Sequence, residues 1–96
     1  MSDFEITREL DGTKGRYVLT HKGETADLTF SKMSEQSVIA DHTGVPEEFR
    51  GSGAGLKLVE ALVADAQENG YRVMPLCPFV NAQRKKHPEW KDAFNI

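Results

Sequence analysis

Four short segments in the first half of the chain alternate between hydrophobic and polar residues, and turn pairs such as Asp11-Gly12 and Lys22-Gly23 separate them. Such alternation predicts a β-strand with one buried face, and a glycine beside a polar residue marks a turn. Because the connections are short, we expect the strands to pair as an antiparallel meander. The predicted strands are Phe4–Leu10, Arg16–His21, Glu24–Met33 and Ser37–Thr43.

From Leu56 onward the hydrophobic residues follow the period of an α-helix. The residues that would share one face of this helix are Leu56, Val59, Leu62, Val63 and Ala66. Asn69-Gly70 is expected to end the helix, with Gly70 as its left-handed cap. The pattern predicts a fifth strand over 71–76, and a crossover through the helix would place that strand parallel to the fourth.

The end of the chain has weaker patterns. Residues 81–86 predict one or two helical turns, and residues 89–94 predict a short helix or a docked tail. Together the elements predict an α+β fold: a mostly antiparallel mixed sheet in which a loop and a helix connect the fourth strand to the fifth. With 96 residues, the chain is expected to form one domain over 1–96.

Composition excludes several classes of protein. The net charge of -3 argues against a general nucleic-acid binder, which usually carries a basic excess. The single cysteine rules out an internal disulfide framework and suggests a reducing compartment. No hydrophobic run approaches the roughly 20 residues that a membrane span needs, and the N-terminus lacks the features of a secretory signal. We therefore expect a cytoplasmic protein without a metal site, either a monomer or a weak homodimer.

A glycine-rich loop directly precedes the predicted helix, in the sequence Arg50-Gly51-Ser52-Gly53-Ala54-Gly55-Leu56. Glycine allows a ligand to approach the backbone closely, and a helix N-terminus offers free amides to phosphate. Gly55-Leu56-Lys57 lacks the Gly-Lys-Ser/Thr ending of a Walker loop. The glycines also follow the fourth strand, whereas a Rossmann fingerprint follows the first.

The loop instead resembles the Arg/Gln-x-x-Gly-x-Gly/Ala segment of the GCN5-related N-acetyltransferases. Other segments extend the resemblance to the minimal YjdJ-type branch of that family: His42-Thr43, Val45-Pro46, Pro75-Leu76-Cys77-Pro78-Phe79-Val80 and His87-Pro88-Glu89-Trp90. Loop, cysteine segment and tail in this one order are far more specific than the loop alone.

The resemblance implies acetyl-coenzyme A as cofactor. The amides of Gly51, Ser52, Gly53, Ala54, Gly55 and Leu56 would hold its pyrophosphate, with Arg50 at the edge of the loop. Backbone groups of Thr43 and Val45 would pair with the pantetheine arm, as an added strand does. This pairing requires the fourth and fifth strands to part at their ends.

Two residues are candidates for the chemistry. Cys77, at the end of the fifth strand, would either carry the acetyl group covalently or line the site; the alternative is a buried cysteine that acts as a small hydrophobic residue. His42 is the best candidate for a general base, and its alternative is a structural histidine at a strand end. Larger relatives commonly protonate the departing thiolate with a tyrosine hydroxyl, and members of the branch often have tyrosine where this chain has Phe79.

These observations lead to two hypotheses. The first is an acetyl-coenzyme A-dependent N-acetyltransferase in which a primary amine, on a protein or peptide lysine or a small molecule, attacks the thioester directly. The second is an acyl-coenzyme A-binding module with little or no transferase activity. It is favoured by the short connection between the first two strands, Asp11 to Gly15, because larger relatives build much of the acceptor pocket there.

Overall fold

The computed structural model describes residues 5–21, 23–49 and 53–94. Its strands are β1 (Glu5–Asp11), β2 (Lys14–His21), β3 (Glu24–Ser34), β4 (Ser37–Gly44) and β5 (Arg72–Pro75). Its α-helices are α1 (Ala54–Asn69) and α2 (Pro78–Lys86), and short 3-10 helices cover Glu47–Phe49 and Pro88–Ala93. Phe4 and Lys22, which the sequence places in the first strand and a turn, lie outside the described residues.

The five strands form one sheet in the order β1-β2-β3-β4-β5. The first four pair as an antiparallel meander, and β5 pairs in parallel with β4. The sequence-based prediction of a mixed α+β fold with a helical crossover is confirmed. Gly70 ends α1 in a left-handed conformation with φ 76°, as its position after Asn69 predicts.

The two faces of the sheet differ in what covers them. One face packs on α1 through buried strand residues: Tyr17, Leu19, Ala26, Leu28, Phe30, Val38, Ala40 and Val73. The buried side of α1 comprises Ala54, Gly55, Leu58, Val59, Leu62, Val63 and Ala66. The opposite face, which we call the outer face, carries half-buried or exposed residues such as Arg16, Thr29 and Ser31. Burial of the alternating residues therefore stabilises the sheet from one side.

A β-bulge interrupts the pairing of β3 with β4. Phe30 pairs with Ala40, but the adjacent Thr29 pairs with His42, so Asp41 is the extra residue. Asp41 lies on the outer face, where its carboxylate accepts a 2.6 Å hydrogen bond from the hydroxyl of Ser31.

The parallel pairing of β4 with β5 ends at the same level as the bulge. The last paired residues are Ala40 and Pro75, and the amide of Cys77 then donates a 2.9 Å hydrogen bond to the carbonyl of Ala40. The amide of Leu76 donates a 3.0 Å hydrogen bond to the carbonyl of Met74 and not to β4, so β5 stops one residue before its predicted end. Beyond Ala40, β4 separates from the segment that follows β5.

The C-terminal segment docks on the core. Helix α2 begins at Pro78, three residues before the predicted start, because proline suits the first position of a helix. Phe94 is buried and forms a parallel bridge with Val73. Trp90 stacks on His87 with ring centroids 4.2 Å apart. The alternative of a docked tail for residues 89–94 therefore fits the structure, with a 3-10 helix inside it.

Candidate active site

A cleft of about 470 Å³ lies where β4 and β5 part, and we call it the β4–β5 cleft. Its walls come from the end of β4, the first turn of α1 and one side of α2. The lining residues are Thr43, Val45, Phe49, Gly53, Ala54, Gly55, Leu56, Phe79 and Gln83. Because the strands separate here, part of the predicted glycine-rich loop and the end of β4 line the same cleft.

The start of α1 gives the cleft an electropositive end. Gly53 precedes the helix with φ 84°, a conformation that favours glycine, and its carbonyl accepts the first helical hydrogen bond from Lys57 at 3.0 Å. The first turn of an α-helix leaves amides without intrahelical acceptors, and the helix dipole makes that end partly positive. Because Gly55 and Leu56 line the cleft, this helix terminus is placed to bind an anionic group.

Phe79 forms a wall of the cleft by packing on Gly55. A methyl group at Gly55 would lie only 2.6 Å from the Cζ atom of Phe79, so glycine is required for this close approach. Gln83, four residues later on α2, lines the same cleft. The sequence analysis missed two lining residues, Gln83 and Phe49. The four-residue spacing from Phe79 places Gln83 on the same side of α2, but this can be seen only once the helix is known to begin at Pro78.

Cys77 lies behind this wall and contacts β4. Its side chain is 2% exposed, and its Sγ lies 3.3 Å from the Oγ1 of Thr43. Thr43 pairs with the buried Leu28, which places its side chain on the covered face of the sheet. The structure therefore brings two predicted site residues, Cys77 and Thr43, into direct contact, and of the two only Thr43 lines the cleft.

His42 lies on the other side of the sheet. It is exposed and pairs with Thr29, so its side chain belongs to the outer face. A methyl group at Gly44 would lie 2.8 Å from Oδ1 of Asp27 and 3.7 Å from Nε2 of His42, so the glycine leaves room for both side chains. The structure does not bring His42 and Cys77 together, because adjacent residues of β4 point to opposite faces.

The outer face has a concavity of its own, of about 560 Å³, which we call the outer concavity. Its lining mixes acidic, basic and apolar side chains: Glu9, Leu10, Asp11, Lys14, Gly15, Arg16, Thr29, Phe30 and Asp41. It is larger than the β4–β5 cleft but has no helix terminus among its lining residues. It therefore lacks the phosphate-binding feature of the cleft. Because Asp41 is among its lining residues, it extends to the bulge on the outer face of the sheet.

The family model described as GCN5-related N-acetyl-transferase matches residues 16–93. The chain belongs to this family. Among solved structures, a GCN5-like candidate N-acetyltransferase from Staphylococcus aureus is 28% identical, with a TM-score of 0.72 over 99% of this chain and 91% of that one. An acetyltransferase from Elizabethkingia anophelis, crystallised with acetyl-coenzyme A bound, shares the fold at 11% identity, with a TM-score of 0.69 over 94% and 76% of the two chains. Among curated proteins, none matches the chain.

Membership in the GCN5-related N-acetyltransferases identifies the chain as an acyltransferase and acetyl-coenzyme A as its co-substrate, as the resemblance implied. Of the predicted cofactor-binding residues, six line the β4–β5 cleft: Thr43, Val45, Gly53, Ala54, Gly55 and Leu56. The remaining three, Arg50, Gly51 and Ser52, lie outside the described residues, and their roles stay predictions.

Within residues 5–21, 23–49 and 53–94, no helix is long and apolar enough to cross a membrane. The same residues contain no group of three or more His, Cys, Asp or Glu side chains placed to hold a metal ion.

Proposed function

We propose that this acetyltransferase transfers the acetyl group of acetyl-coenzyme A to a primary amine that attacks the thioester directly. The observation that carries the proposal is the β4–β5 cleft, which runs from the N-terminus of α1 to the point where β4 and β5 part. Its ends match the two chemical parts of the cofactor. The helix terminus suits the pyrophosphate, and the parted strands suit the extended, amide-bearing pantetheine arm.

Backbone groups of β4 are available for the pantetheine arm in this arrangement. Within the described strands, β5 pairs with β4 only from Ser37 to Ala40. Thr43 and Val45 lie beyond that pairing and line the cleft. An extended ligand that pairs with this edge satisfies peptide groups there, as in β-strand addition, and it places the thioester near the bulge at Asp41.

The acceptor amine approaches from the outer face in our proposal. His42 lies on that face beside the gap and is the residue that we assign as general base. The carboxylate of Asp27, close to His42 across Gly44, would attract the ammonium form of the amine, which releases one proton to solvent before the neutral amine attacks. The outer concavity, which extends to Asp41, offers room for the rest of the acceptor. Its open, charged lining suits a lysine side chain of a peptide or a small polyamine.

The reaction then uses both faces of the sheet. The amine nitrogen attacks the acetyl carbonyl and loses a proton to His42, so the N–C bond forms as the C–S bond breaks. The electron pair of the C–S bond remains on the sulfur of coenzyme A, which leaves as a thiolate and takes up a proton. Because the acetyl group passes directly to nitrogen, no acyl-enzyme on Cys77 is needed.

A pair of glycine substitutions tests the cofactor part of the proposal. Gly53 and Gly23 have nearly the same φ, 84° and 83°, and no atom of the described residues lies within 4 Å of a methyl group added at either. Gly53→Ala and Gly23→Ala should therefore carry a similar conformational cost. In calorimetric titration with acetyl-coenzyme A, we expect at least tenfold weaker binding for Gly53→Ala only. Equal affinity of both variants and the wild type would contradict binding at α1.

An amine screen tests the transfer itself. We expect a lysine-containing peptide or spermidine to accelerate release of the coenzyme A thiol, and His42→Gln to slow that release without weakening cofactor binding. Tight binding of acetyl-coenzyme A with no amine-dependent release would favour the acyl-coenzyme A-binding module instead.

A further inference from the structure

The departing thiolate of coenzyme A needs a proton donor, and the described tyrosines do not supply one. Position 79, where the resemblance led us to expect a hydroxyl, holds a phenylalanine whose ring packs on Gly55. Tyr17 and Tyr71 donate their hydroxyl hydrogens to Asp65, at 2.7 and 2.9 Å. Asp65 lies eleven residues into α1, about 16 Å from the helix start at 1.5 Å per residue. Neither hydroxyl reaches the cleft.

Thr43 and Cys77 bring two protic side chains together where β4 and β5 part. Thr43 lines the β4–β5 cleft, and its Oγ1 lies 3.3 Å from the Sγ of Cys77, a residue that is 2% exposed. The amide of Cys77 is fixed by its 2.9 Å hydrogen bond to the carbonyl of Ala40, the last paired residue of β4. The pair is therefore held at the level where the thioester would lie.

We propose that Thr43 and Cys77 form a proton relay that protonates the departing coenzyme A thiolate, in place of the hydroxyl that Phe79 lacks. This inference rests on the proposed function, because it concerns the same cleft and the same reaction. Thr43 lines the cleft and Cys77 is buried, so in the relay the hydroxyl of Thr43 meets the cofactor and the thiol of Cys77 supplies the proton to that hydroxyl.

As the C–S bond breaks, its electron pair stays on the coenzyme A sulfur. The Oγ1–H of Thr43 gives its proton to that sulfur and takes the Sγ proton of Cys77, so that Cys77 is left as a thiolate. The proton that the amine lost to His42 passes to solvent, and Cys77 regains a proton through the hydroxyl of Thr43 before the next turnover. Because one alkyl thiolate replaces another, the relay moves a negative charge within the site and creates no additional charge.

The relay also accounts for the position of Cys77 better than a covalent role does. A cysteine that accepts the acetyl group must present its sulfur to the thioester carbon. Here Thr43 lines the cleft, whereas Cys77 is almost completely buried and is not among the lining residues. A relay needs the sulfur to contact Thr43, which it does.

Equilibrium binding tests the relay without any acceptor. Coenzyme A and desulfo-coenzyme A differ only in the thiol, so at pH 9 the ratio of their affinities reports how well the protein stabilises the thiolate. Hydrogen-bond donation to a charged form favours that form. We expect the wild type to prefer coenzyme A by about tenfold, and Thr43→Val and Cys77→Ala each to lose most of this preference while desulfo-coenzyme A binding stays unchanged. Equal binding of both ligands to the wild type would overturn the relay, whatever the outcome of the amine screen.

Turnover provides the second measurement. With acetyl-coenzyme A and an accepted amine, we expect Thr43→Val and Cys77→Ala each to lower kcat by about 100-fold, and the double variant to be no slower than either one, since the two residues act as a unit. Thr43→Ser should recover a large share of the rate because it restores the hydroxyl. With acetyl-seleno-coenzyme A, whose selenolate leaves without protonation, all variants should approach the wild type. A Cys77→Ala variant with the wild-type rate would overturn the relay, whereas absence of turnover in the wild type would refute the proposed function and leave the binding result to decide the relay.

Discussion

Replacing Gly55 with alanine tests how closely Phe79 packs on the first turn of α1. The added methyl group would lie 2.6, 3.0 and 3.4 Å from three atoms of the Phe79 ring: Cζ, Cε2 and Cε1. Carbon atoms in contact are normally about 3.5–4.0 Å apart, so the ring must move by about 1 Å. Phe79 is half-buried and forms a wall of the β4–β5 cleft, so we expect its ring to move into the space that the cofactor needs.

Two opposing contributions set the change in stability. Alanine is favoured over glycine within a helix by about 1 kcal/mol. Forcing an extra carbon into a packed contact costs about 1–3 kcal/mol. The sum predicts that Gly55→Ala lowers the free energy of unfolding by roughly 0–2 kcal/mol, although the same substitution at an open helical position would raise it.

Urea unfolding and calorimetric titration with acetyl-coenzyme A measure the two effects separately. We expect near-wild-type or reduced stability together with at least tenfold weaker binding. Combining Gly55→Ala with Phe79→Leu, which shortens the opposing side chain, should recover the lost stability and part of the affinity. A Gly55→Ala variant that is more stable by the full 1 kcal/mol or so and binds acetyl-coenzyme A normally would refute this account of the contact.

Three further predictions concern stability. Partial burial raises the pKa of Asp65, but hydrogen bonds from Tyr17, Tyr71 and Arg8 outweigh that effect and hold the pKa below its usual 3.8. The ionised carboxylate therefore stabilises the fold above that pH. Asp65→Asn should lower the free energy of unfolding by about 1–3 kcal/mol at pH 7, and urea unfolding of this variant should show a smaller loss of stability below pH 3.8. Burial and the hydrogen bond to Asp65 raise the pKa of Tyr71 from 10.0 to about 12. The phenol of Tyr71 therefore ionises at lower pH in the unfolded chain than in the folded one, and thermal stability should fall as the pH rises between these two values. The fall should be less steep in Tyr71→Phe. Phe94 is 2% exposed and pairs with Val73, so Phe94→Ala should lower the free energy of unfolding by about 3–5 kcal/mol. The control Met33→Ala, at a 63% exposed position, should shift the urea midpoint little. Equal effects of the two substitutions would show that the tail does not dock.

The hydrophobic pattern predicted the strands and α1 well because burial on one face imposes a period on the sequence. Boundaries that depend on backbone chemistry were less accurate. Helix α1 begins at Ala54 rather than Leu56, since Gly55 carries no side chain and contributes nothing to the pattern, yet packs against Phe79. Pro78 did carry a signal for the start of α2, because proline favours the first turn of a helix.

The arrangement of the candidate catalytic residues depends on the bulge at Asp41, which the sequence does not mark. A bulge arises from how two strands pair, and neither a glycine nor a proline stands at this position to indicate one. If β4 kept Asp41 but paired without a bulge, the alternation that buries Val38 and Ala40 would carry on to residue 42, and His42 would face α1 with Thr43 on the outer face. The bulge reverses this order, so that Thr43 meets Cys77 and His42 reaches the outer face. In our proposal, proton removal from the amine and proton delivery to the thiolate therefore lie on opposite faces of one strand. A variant that deletes Asp41 should keep both residues on their present faces, because His42 would then follow Ala40 directly in regular alternation; loss of both functions in that variant would contradict this account.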